Sequence, residues 1–159
     1  MYSFGTDEYI CRVVEEYSAM LLHIAMSRLP SSADAEDAVQ ETFLRLLTAH
    51  PRFRDGDHER AWLIRTTLHR ASDIRRLAER RNVPLEETLA AAEDPAPSDL
   101  LSAVRALPEK YSAVIHLYYY EGYSIKEISK LLGLPGPTVG TRLSRGRERL
   151  KALLKEEIP

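Results

Sequence analysis

The sequence predicts an all-α fold, and two observations indicate it. Apolar residues recur every three to four positions along most of the chain, which is the spacing of one face of an α-helix. No run of alternating valine, isoleucine and threonine is present, and only two of the seven glycines, Gly5 and Gly56, precede residue 122. We therefore expect two small helical domains, over residues 1–81 and 98–159.

Three amphipathic helices are predicted in the first domain, over residues 6–29, 34–49 and 58–81. Residues 82–97 then carry three prolines, several acidic residues and few bulky apolar ones. That composition is typical of a segment that contributes nothing to a core. We expect it to be a flexible acidic linker.

The second domain is predicted to end in a helix-turn-helix. A short helix is expected to end at Leu107, and Pro108 suits the first position of the next, which runs to about residue 121. Ser124 and Glu127 have the spacing of a capping box, and Gly133 suits the end of the helix that the box begins. A last helix should start at Pro137 and continue to about residue 156.

Charge is arranged in blocks that the net charge of −2 conceals. Residues 1–60 carry a net charge of −5, residues 61–82 +4, residues 83–110 −4 and residues 111–159 +3. Two basic blocks, each preceded by an acidic one, suggest two surfaces that contact a polyanion. Any single block of this kind could equally be a solvated helix face.

One face of the third predicted helix is basic and holds the single tryptophan. It carries Trp62, Arg65, His69, Asp73, Arg76 and Arg80, and the opposite, core side carries Leu63, Thr67, Ala71, Ile74, Leu77 and Ala78. An aromatic ring among guanidinium groups can hold phosphates and stack on unpaired bases. The alternative is a solvated face with Trp62 packed against the neighbouring loop, and these residues alone leave both open.

The last predicted helix combines a buried side with a polar one. Val139, Leu143, Leu150 and Leu154 share the apolar side, and the polar side and its flanks carry Thr141, Arg142, Ser144, Arg145, Glu148 and Arg149. The second helix of a helix-turn-helix presents its N-terminal residues to base edges in the major groove, where arginine pairs with guanine or phosphate. An ordinary surface helix with ion pairs is the alternative, and the capping box before it disfavours that reading.

The second predicted helix carries an exposed acidic strip. Asp37, Gln40, Glu41 and Leu44 have the spacing of a single helix face, and Asp34 precedes them in the first turn. Acidic residues in a first turn often only complement the helix dipole. This strip, with its apolar end, also suits a protein partner that offers a basic helix.

Catalytic and metal sites are not expected. His58 and Glu59 begin like a zinc-protease motif, but Trp62 occupies the position of the second histidine. No glycine-rich phosphate loop and no Glu-x-x-His pair is present. We predict a protein that is not an enzyme and that needs no cofactor.

Cellular location is predicted from three absences in the sequence. Cys11 is the only cysteine and cannot form an internal disulfide. The N-terminus does not read as a secretory signal, and no apolar run approaches the roughly 20 residues that a bilayer requires. The expected location is the cytoplasm.

Together these motifs resemble the extracytoplasmic-function class of bacterial sigma factors, in the sigma-70 family. Residues 34–43 (DAEDAVQETF) are similar to the polymerase-binding helix of that family, and residues 61–76 resemble its promoter −10 helix. Residues 107–108, 123–128, 138–139 and 142–145 resemble its −35-binding domain. Two positions depart from the pattern: asparagine is usual in place of His69, and a basic or hydroxyl residue in place of Gly140.

The resemblance implies a role for each surface. Core RNA polymerase would bind Asp34, Asp37, Gln40, Glu41 and Leu44. The −10 element would contact Trp62, Arg65, His69, Arg70, Asp73, Arg76 and Arg80. The −35 element would contact Thr138, Thr141, Arg142, Ser144, Arg145 and Arg149. Members of this class are usually held inactive by an anti-sigma factor, often membrane-bound, and released under envelope stress.

Two other functions remain open from the sequence. A stand-alone helix-turn-helix regulator would use the N-terminal helices to sense a ligand or to dimerise, and would bind a two-fold operator without polymerase. A binding-only adaptor would not contact DNA, which the two basic faces disfavour. The sigma-factor hypothesis differs from both because it predicts two basic surfaces that bind one promoter at separated positions.

Overall fold

The computed structural model describes residues 7–81 and 99–155, and this part of the chain is built from seven α-helices and one π-helical turn. The helices are α1 (Asp7–Met26), α2 (Ser32–Ala49), α3 (Gly56–Arg80), α4 (Asp99–Ala106), α5 (Glu109–Ile115), α6 (Ile125–Leu132) and α7 (Gly136–Lys155). The all-α prediction is confirmed. The predicted linker at 82–97 and the predicted helix start at Thr6 lie outside the described residues.

Side-chain caps fix where α2 and α3 begin. The Ser31 side chain accepts a hydrogen bond from the backbone N–H of Asp34 at 3.2 Å, and Asp55 accepts from the N–H of His58 at 2.8 Å. Each cap satisfies a backbone donor that the first helical turn leaves open. Both helices therefore begin two residues before the predicted positions.

The helix-turn-helix forms as predicted. Ser124 Oγ accepts from the Glu127 N–H at 3.1 Å, and Glu127 accepts from the Ser124 N–H at 3.0 Å, which completes the capping box. Gly133 ends α6 with a φ of 67°, a left-handed conformation that a side chain would strain. The next helix, α7, begins at Gly136, so Pro137 lies in its first turn.

The helix that follows Leu107 differs from the prediction. Pro108 is the N-cap of α5 and lies one position before its first turn. After Ile115 the chain continues as a π-helical turn, His116–Tyr120, in which the Glu121 N–H bonds to the His116 carbonyl. His116 Nε2 lies 2.8 Å from Glu121 Oε2, and its ring stacks on Tyr120 at 4.9 Å. The wider turn leaves Tyr120 exposed.

Helices α1, α2 and α3 pack around one apolar core. Leu21, Ile24, Leu46, Leu63 and Ile64 are fully buried in it. The predicted core side of α3 is correct for its first half but not for its end, where Leu77 is 45% exposed. With 25 residues, α3 is longer than α1 and α2, and its last turns extend past the core.

A buried carboxylate ties the start of α3 to α1. Glu59 is only 5% exposed and accepts hydrogen bonds from Tyr9 Oη at 2.9 Å, from Arg12 at 2.9 and 3.0 Å and from Tyr17 Oη at 3.3 Å. Burial, with the nearby Glu16 and Glu59, raises the pKa of Tyr17 to about 12, and burial and Glu59 raise that of Tyr9. The charged acceptor is thereby satisfied inside the fold.

Helices α5 and α7 pack closely together at Gly146. A Cβ atom there would lie 3.0 Å from Ile115 Cγ1 and 3.4 Å from Tyr111 Cβ. Around Gly140, in the same helix, no atom would lie within 4 Å of such a Cβ. A larger side chain would therefore meet α5 at Gly146 and open space at Gly140, although both glycines are helical.

Substituting valine at these two glycines tests the helix crossing. Gly146→Val is expected to lower the free energy of unfolding by about 2 kcal/mol, because the added methyls must displace α5. Gly140→Val, the matched control, should stay within about 0.5 kcal/mol of the parent chain. Urea unfolding followed by circular dichroism measures both, and equal losses at the two positions would contradict the close crossing.

Arginines join the N-terminal bundle (α1–α3) to the C-terminal helices (α4–α7). Arg28, just after α1, donates to the Leu107 carbonyl at 3.1 Å and to Ser112 Oγ at 2.7 Å. Arg75 of α3 donates at 2.8 Å to the carbonyls of both Arg28 and Arg105. These bonds connect the end of α1 to the end of α4 and the start of α5.

Aromatic side chains extend this contact. The Tyr123 hydroxyl lies 3.5 Å from Met20 Sδ of α1, and the Arg60 guanidinium lies 5.5 Å from the Tyr123 ring centroid. His23 of α1 meets Tyr120 edge-on at 5.2 Å. The buried apolar residues of both parts form one continuous cluster. The described helices are therefore packed as one unit.

Candidate nucleic-acid interface

The predicted basic face of α3 lies opposite its buried side. Leu63, Ile64 and Thr67 are buried against α1 and α2, which orients the other side of the helix away from the core. On that other side Trp62, Arg65 and Arg70 are partly buried, and His69, Asp73, Arg76 and Arg80 are exposed. The predicted residues therefore do share one surface.

Several charges on this face are already paired. Asp73 accepts hydrogen bonds from both Arg70 and Arg76, and Arg70 also contacts Glu41 of α2. Because Glu41 belongs to the predicted acidic strip and Arg70 to the basic face, the two surfaces adjoin at this ion pair. Among the described residues Arg65 forms no ion pair, which leaves its charge available for a phosphate.

Trp62 packs against the loop that joins α2 and α3. Its ring meets Phe53 edge-on at 5.9 Å, and Phe53 also meets His58 at 5.3 Å. This is the loop contact that the sequence left as an alternative, and it holds the indole at the rim of the basic face. Phe53 was missed in the sequence, where an aromatic residue in an otherwise polar loop was the available signal.

The polar side of α7 is exposed, and its apolar side is buried. Val139 and Leu143 are 0% and 1% exposed, packed beneath the helix-turn-helix. Their burial fixes the outward side, on which Thr141, Ser144, Arg145 and Arg149 are exposed and Thr138 and Arg142 are partly buried. The N-terminal half of α7 thus presents short polar side chains and arginines, which suit base recognition in a major groove.

Tyr111 of α5 positions two of these arginines. The Arg149 guanidinium lies 5.0 Å from the Tyr111 ring centroid, and the charge of Arg145 also acts on the Tyr111 hydroxyl. Burial opposes ionisation of the Tyr111 hydroxyl, but Lys110, Arg149 and Arg145 outweigh it and lower its pKa. This supporting residue was not predicted, because the sequence marks Tyr111 only as part of the core.

The acidic strip on α2 faces outward. Asp37 and Gln40 are exposed, Asp34 and Glu41 are partly buried, and Leu44 is 59% exposed although it is apolar. Beside Leu44 lies an open cavity of about 450 Å³. A ridge of carboxylates that ends in an exposed leucine offers a partner both charge and apolar area.

The two predicted DNA-binding surfaces meet in one cleft. Arg65 and His69 of α3 line a cavity of about 290 Å³ together with Arg142 of α7, and Glu109 and Lys110 of α5 also line it. The sequence led us to expect basic surfaces at separated positions. In this arrangement the edge of one surface, at Arg65 and His69, lies beside the edge of the other, at Arg142.

Two absences can be reported for the part of the chain that the structure describes. It contains no group of three or more His, Cys, Asp or Glu side chains placed to hold a metal ion. None of its helices combines the length and apolar character that crossing a bilayer requires.

Comparison with known proteins identifies two regions of one family. Residues 13–81 match the family model of sigma-70 region 2, and residues 98–150 match that of sigma-70 region 4. The basic face of α3 and the acidic strip of α2 lie within the first match. The helix-turn-helix lies within the second.

Curated relatives are similar over most of the chain. The ECF RNA polymerase sigma factor SigE of Mycolicibacterium smegmatis is 32% identical over 155 residues, which cover 89% of this chain and 60% of that protein. SigL of Mycobacterium tuberculosis, also an ECF RNA polymerase sigma factor, is 32% identical over 89% of this chain and 86% of its own length. The chain thus spans less than two thirds of SigE and most of SigL.

Solved structures share the fold. The sigma factor RpoE of Bartonella quintana, in complex with the anti-sigma factor NepR, matches with a TM-score of 0.72 at 23% identity over 94% of this chain and 98% of that one. CnrH, in complex with the cytosolic domain of CnrY, matches with a TM-score of 0.68 at 27% identity over 96% and 91%. With regions 2 and 4 in order and relatives of this identity, the chain belongs to the extracytoplasmic-function sigma factors of the sigma-70 family.

Proposed function

We propose that this chain is a dissociable promoter-specificity subunit of bacterial RNA polymerase. One observation carries the proposal. The chain has sigma-70 regions 2 and 4, and it also carries an exposed acidic strip and two basic helix faces. Such an arrangement suits one protein partner and one nucleic acid bound at two places. The proposed activity is binding and positioning, with no covalent step.

The acidic strip is the proposed polymerase contact. Asp37, Gln40 and Leu44 are exposed on one side of α2, and the carboxylate of Glu41 borders the same surface. Charged residues at the rim with an apolar residue beside them give both orientation and affinity to a protein interface. We assign the partner as a basic helix of core polymerase.

The basic face of α3 is the proposed −10 contact. Its arginines would hold the backbone of a melted strand, and Trp62, held by Phe53, would stack on an unpaired base. Trapping an unpaired base costs a few kcal/mol, which a bundle of three helices is poorly able to supply alone. Melting is therefore assigned to the polymerase-bound state.

The first turns of α7 are the proposed −35 contact, with Arg145 as the principal base reader. Arg145→Ala is expected to weaken promoter binding by the reconstituted holoenzyme by about 1–3 kcal/mol, mainly at sites with the preferred −35 sequence. The control is Arg147→Ala, because Arg147 lies on the other side of α7 and donates to the Tyr119 hydroxyl at 2.9 Å. An equal loss across unrelated sequences would make Arg145 a phosphate contact.

The division of the chain follows from these assignments. We propose that residues 1–81 bind polymerase and the −10 element, that residues 98–159 bind the −35 element, and that residues 82–97 link them. The proposed location is the cytoplasm, where polymerase and promoter meet.

A gel shift separates this function from a stand-alone regulator. A labelled promoter fragment should be retained by the chain together with core polymerase and not by the chain alone at the same concentration. Tight binding of a two-fold site by the chain alone would favour the regulator with an N-terminal sensing or dimerisation bundle.

We further propose that an anti-sigma factor controls this chain. CnrH, the relative described above, was solved with the cytosolic domain of CnrY. This chain has an open apolar groove of about 500 Å³. It is lined by Leu100, Leu150 and Leu154 and bordered by Arg147 and Lys151. It fits an amphipathic helix with acidic flanks.

Tyr119→Glu at the edge of this groove should weaken binding of the anti-sigma factor without disturbing the core, because Tyr119 is 55% exposed.

A further inference from the structure

His58 connects the loop between α2 and α3 to the first turn of α3. Its Nδ1 atom accepts a hydrogen bond from the backbone N–H of Arg54 at 3.1 Å, and its own backbone N–H donates to Asp55 Oδ1 at 2.8 Å. The His58 side chain is partly buried, whereas Arg54 and Asp55 are exposed. These two bonds hold the loop, residues 50–55, against the helix.

The same histidine belongs to a row of three aromatic rings. The Phe53 ring meets His58 edge-on with centroids 5.3 Å apart, and its centroid lies 5.9 Å from that of Trp62. Edge-to-face contacts favour a defined angle between neighbouring rings. Because Phe53 directly precedes Arg54 in the chain, the hydrogen bond from Arg54 to His58 also restrains the Phe53 ring. The position of Trp62 therefore depends on the imidazole of His58.

The hydrogen bond at Nδ1 requires a neutral imidazole. A neutral ring has one nitrogen that accepts and one that donates, and in His58 the acceptor is Nδ1. A protonated ring donates from both nitrogens, so it would oppose one N–H to another at this position. Histidine is the side chain whose charge ordinarily changes between about pH 5 and about pH 8. Protonation of His58 and its bond to Arg54 therefore exclude each other.

Charged groups of both signs share a cavity of about 600 Å³ with His58. Its cations are Arg54, Arg60, Arg65 and Lys130, its carboxylates are Asp55, Asp57 and Glu127, and Tyr123 adds a phenol. All three carboxylates are engaged, since Asp55 caps α3, Asp57 pairs with Arg60 at 2.8 Å and Glu127 completes the capping box of α6. The cations oppose a further positive charge. On protonation the loop loses its bond to the ring, and these groups do not offset that loss.

We propose that His58 is a positioning residue for Trp62. In its neutral form it holds the 50–55 loop through the Arg54 N–H, so that Phe53 keeps the indole at the rim of the basic face, and protonation releases the loop. This inference rests on the proposed function, in which Trp62 stacks on an unpaired base of the −10 element. Opening of the promoter should therefore weaken in acid by what one hydrogen bond contributes, about 2- to 10-fold.

Fluorescence of the free chain tests the positioning directly, because Trp62 is the only tryptophan. Lowering the pH from about 8 to about 5.5 should raise the acrylamide quenching constant of the parent chain by about 2-fold. Circular dichroism that is unchanged over the same range shows that the helices persist. A parent chain whose quenching does not respond to pH would overturn the proposal.

Two substitutions at His58 separate the acceptor from the charge. His58→Asn places an amide oxygen near the position of Nδ1, where it can accept from Arg54 and does not titrate, so quenching should stay low at both pH values. His58→Leu removes the acceptor, so quenching should be high at both. A pH response that persists in His58→Asn would contradict the role of the imidazole.

Two other histidines supply the matched control. His50 belongs to the same loop, and His69 is exposed on the basic face of α3. The double variant His50→Asn, His69→Asn removes both, and asparagine tolerates the left-handed φ of 49° at position 50. This variant should keep the quenching response of the parent chain. Loss of the response would assign it to one of these histidines and refute the assignment to His58.

Open-complex formation by the reconstituted holoenzyme provides the functional readout. Comparing chains at one pH cancels the response of the polymerase itself. At about pH 6 His58→Asn should form about 2- to 10-fold more open complexes than the parent chain, and at about pH 8 the two should agree within about 2-fold. Equal yields at the lower pH would overturn the positioning role. If neither chain activates a promoter at either pH, the proposed function fails, while quenching still decides whether His58 controls Trp62.

Discussion

Asp37→Arg is expected to reduce association with core polymerase, and transcription that depends on this chain, by at least about 100-fold. Asp37 is exposed in the middle of the acidic strip on α2. Reversing its charge places two like charges across the proposed interface, which costs several kcal/mol. Co-elution of the chain with core polymerase in size-exclusion chromatography measures the association, and run-off transcription measures the activity.

A neighbouring residue gives the matched control. Glu36 is also acidic and exposed on α2, but it lies about 100° around the helix from Asp37. Glu36→Arg changes net charge by the same amount and should leave association within a few-fold of the parent chain. If both reversals weakened binding equally, the effect would be one of net charge, and the docking of a defined strip would be wrong.

Glu59→Ala is expected to lower the free energy of unfolding by about 3 kcal/mol. The substitution removes the acceptor that Tyr9, Arg12 and Tyr17 share between α1 and α3. Removing one partner of a buried charged network is costly because the remaining groups keep their desolvation without their acceptor. Chemical unfolding followed by circular dichroism measures the loss.

Glu16 supplies the control for this network. It pairs with the same Arg12 at 2.8 Å, but its side chain is 51% exposed. Glu16→Ala should therefore change the free energy of unfolding by no more than about 0.5 kcal/mol. Comparable losses for the two variants would show that the burial of Glu59 does not increase its contribution to stability.

Local signals predicted the helices and the helix-turn-helix well. The capping box at Ser124 and the left-handed turn at Gly133 depend on residues within a few positions of each other, so the sequence displays them directly. The outward orientation of α7 followed from its apolar spacing, which the burial of Val139 and Leu143 confirms. The functional roles of the outward residues stay predictions.

Contacts between distant segments could not be predicted. Glu59 looked like part of a failed zinc motif, and its actual role depends on Tyr9, 50 positions earlier in the chain. The closeness of α5 and α7 at Gly146 depends on Ile115, and the bond that joins the end of α1 to α5 runs from Arg28 to Ser112. Helical periodicity tells which side of a helix is buried but not which other helix buries it.

Promoter-dependent transcription in vitro tests directly whether this chain is a promoter-specificity subunit. Purified chain and bacterial core polymerase would be given a library of templates with randomised −35 and −10 elements, and the transcripts would be sequenced. Transcripts are expected to start at defined positions downstream of paired elements and to require both the chain and core polymerase. If no template were transcribed above the core-only level, while a known sigma factor activated the same polymerase, the central claim would be contradicted.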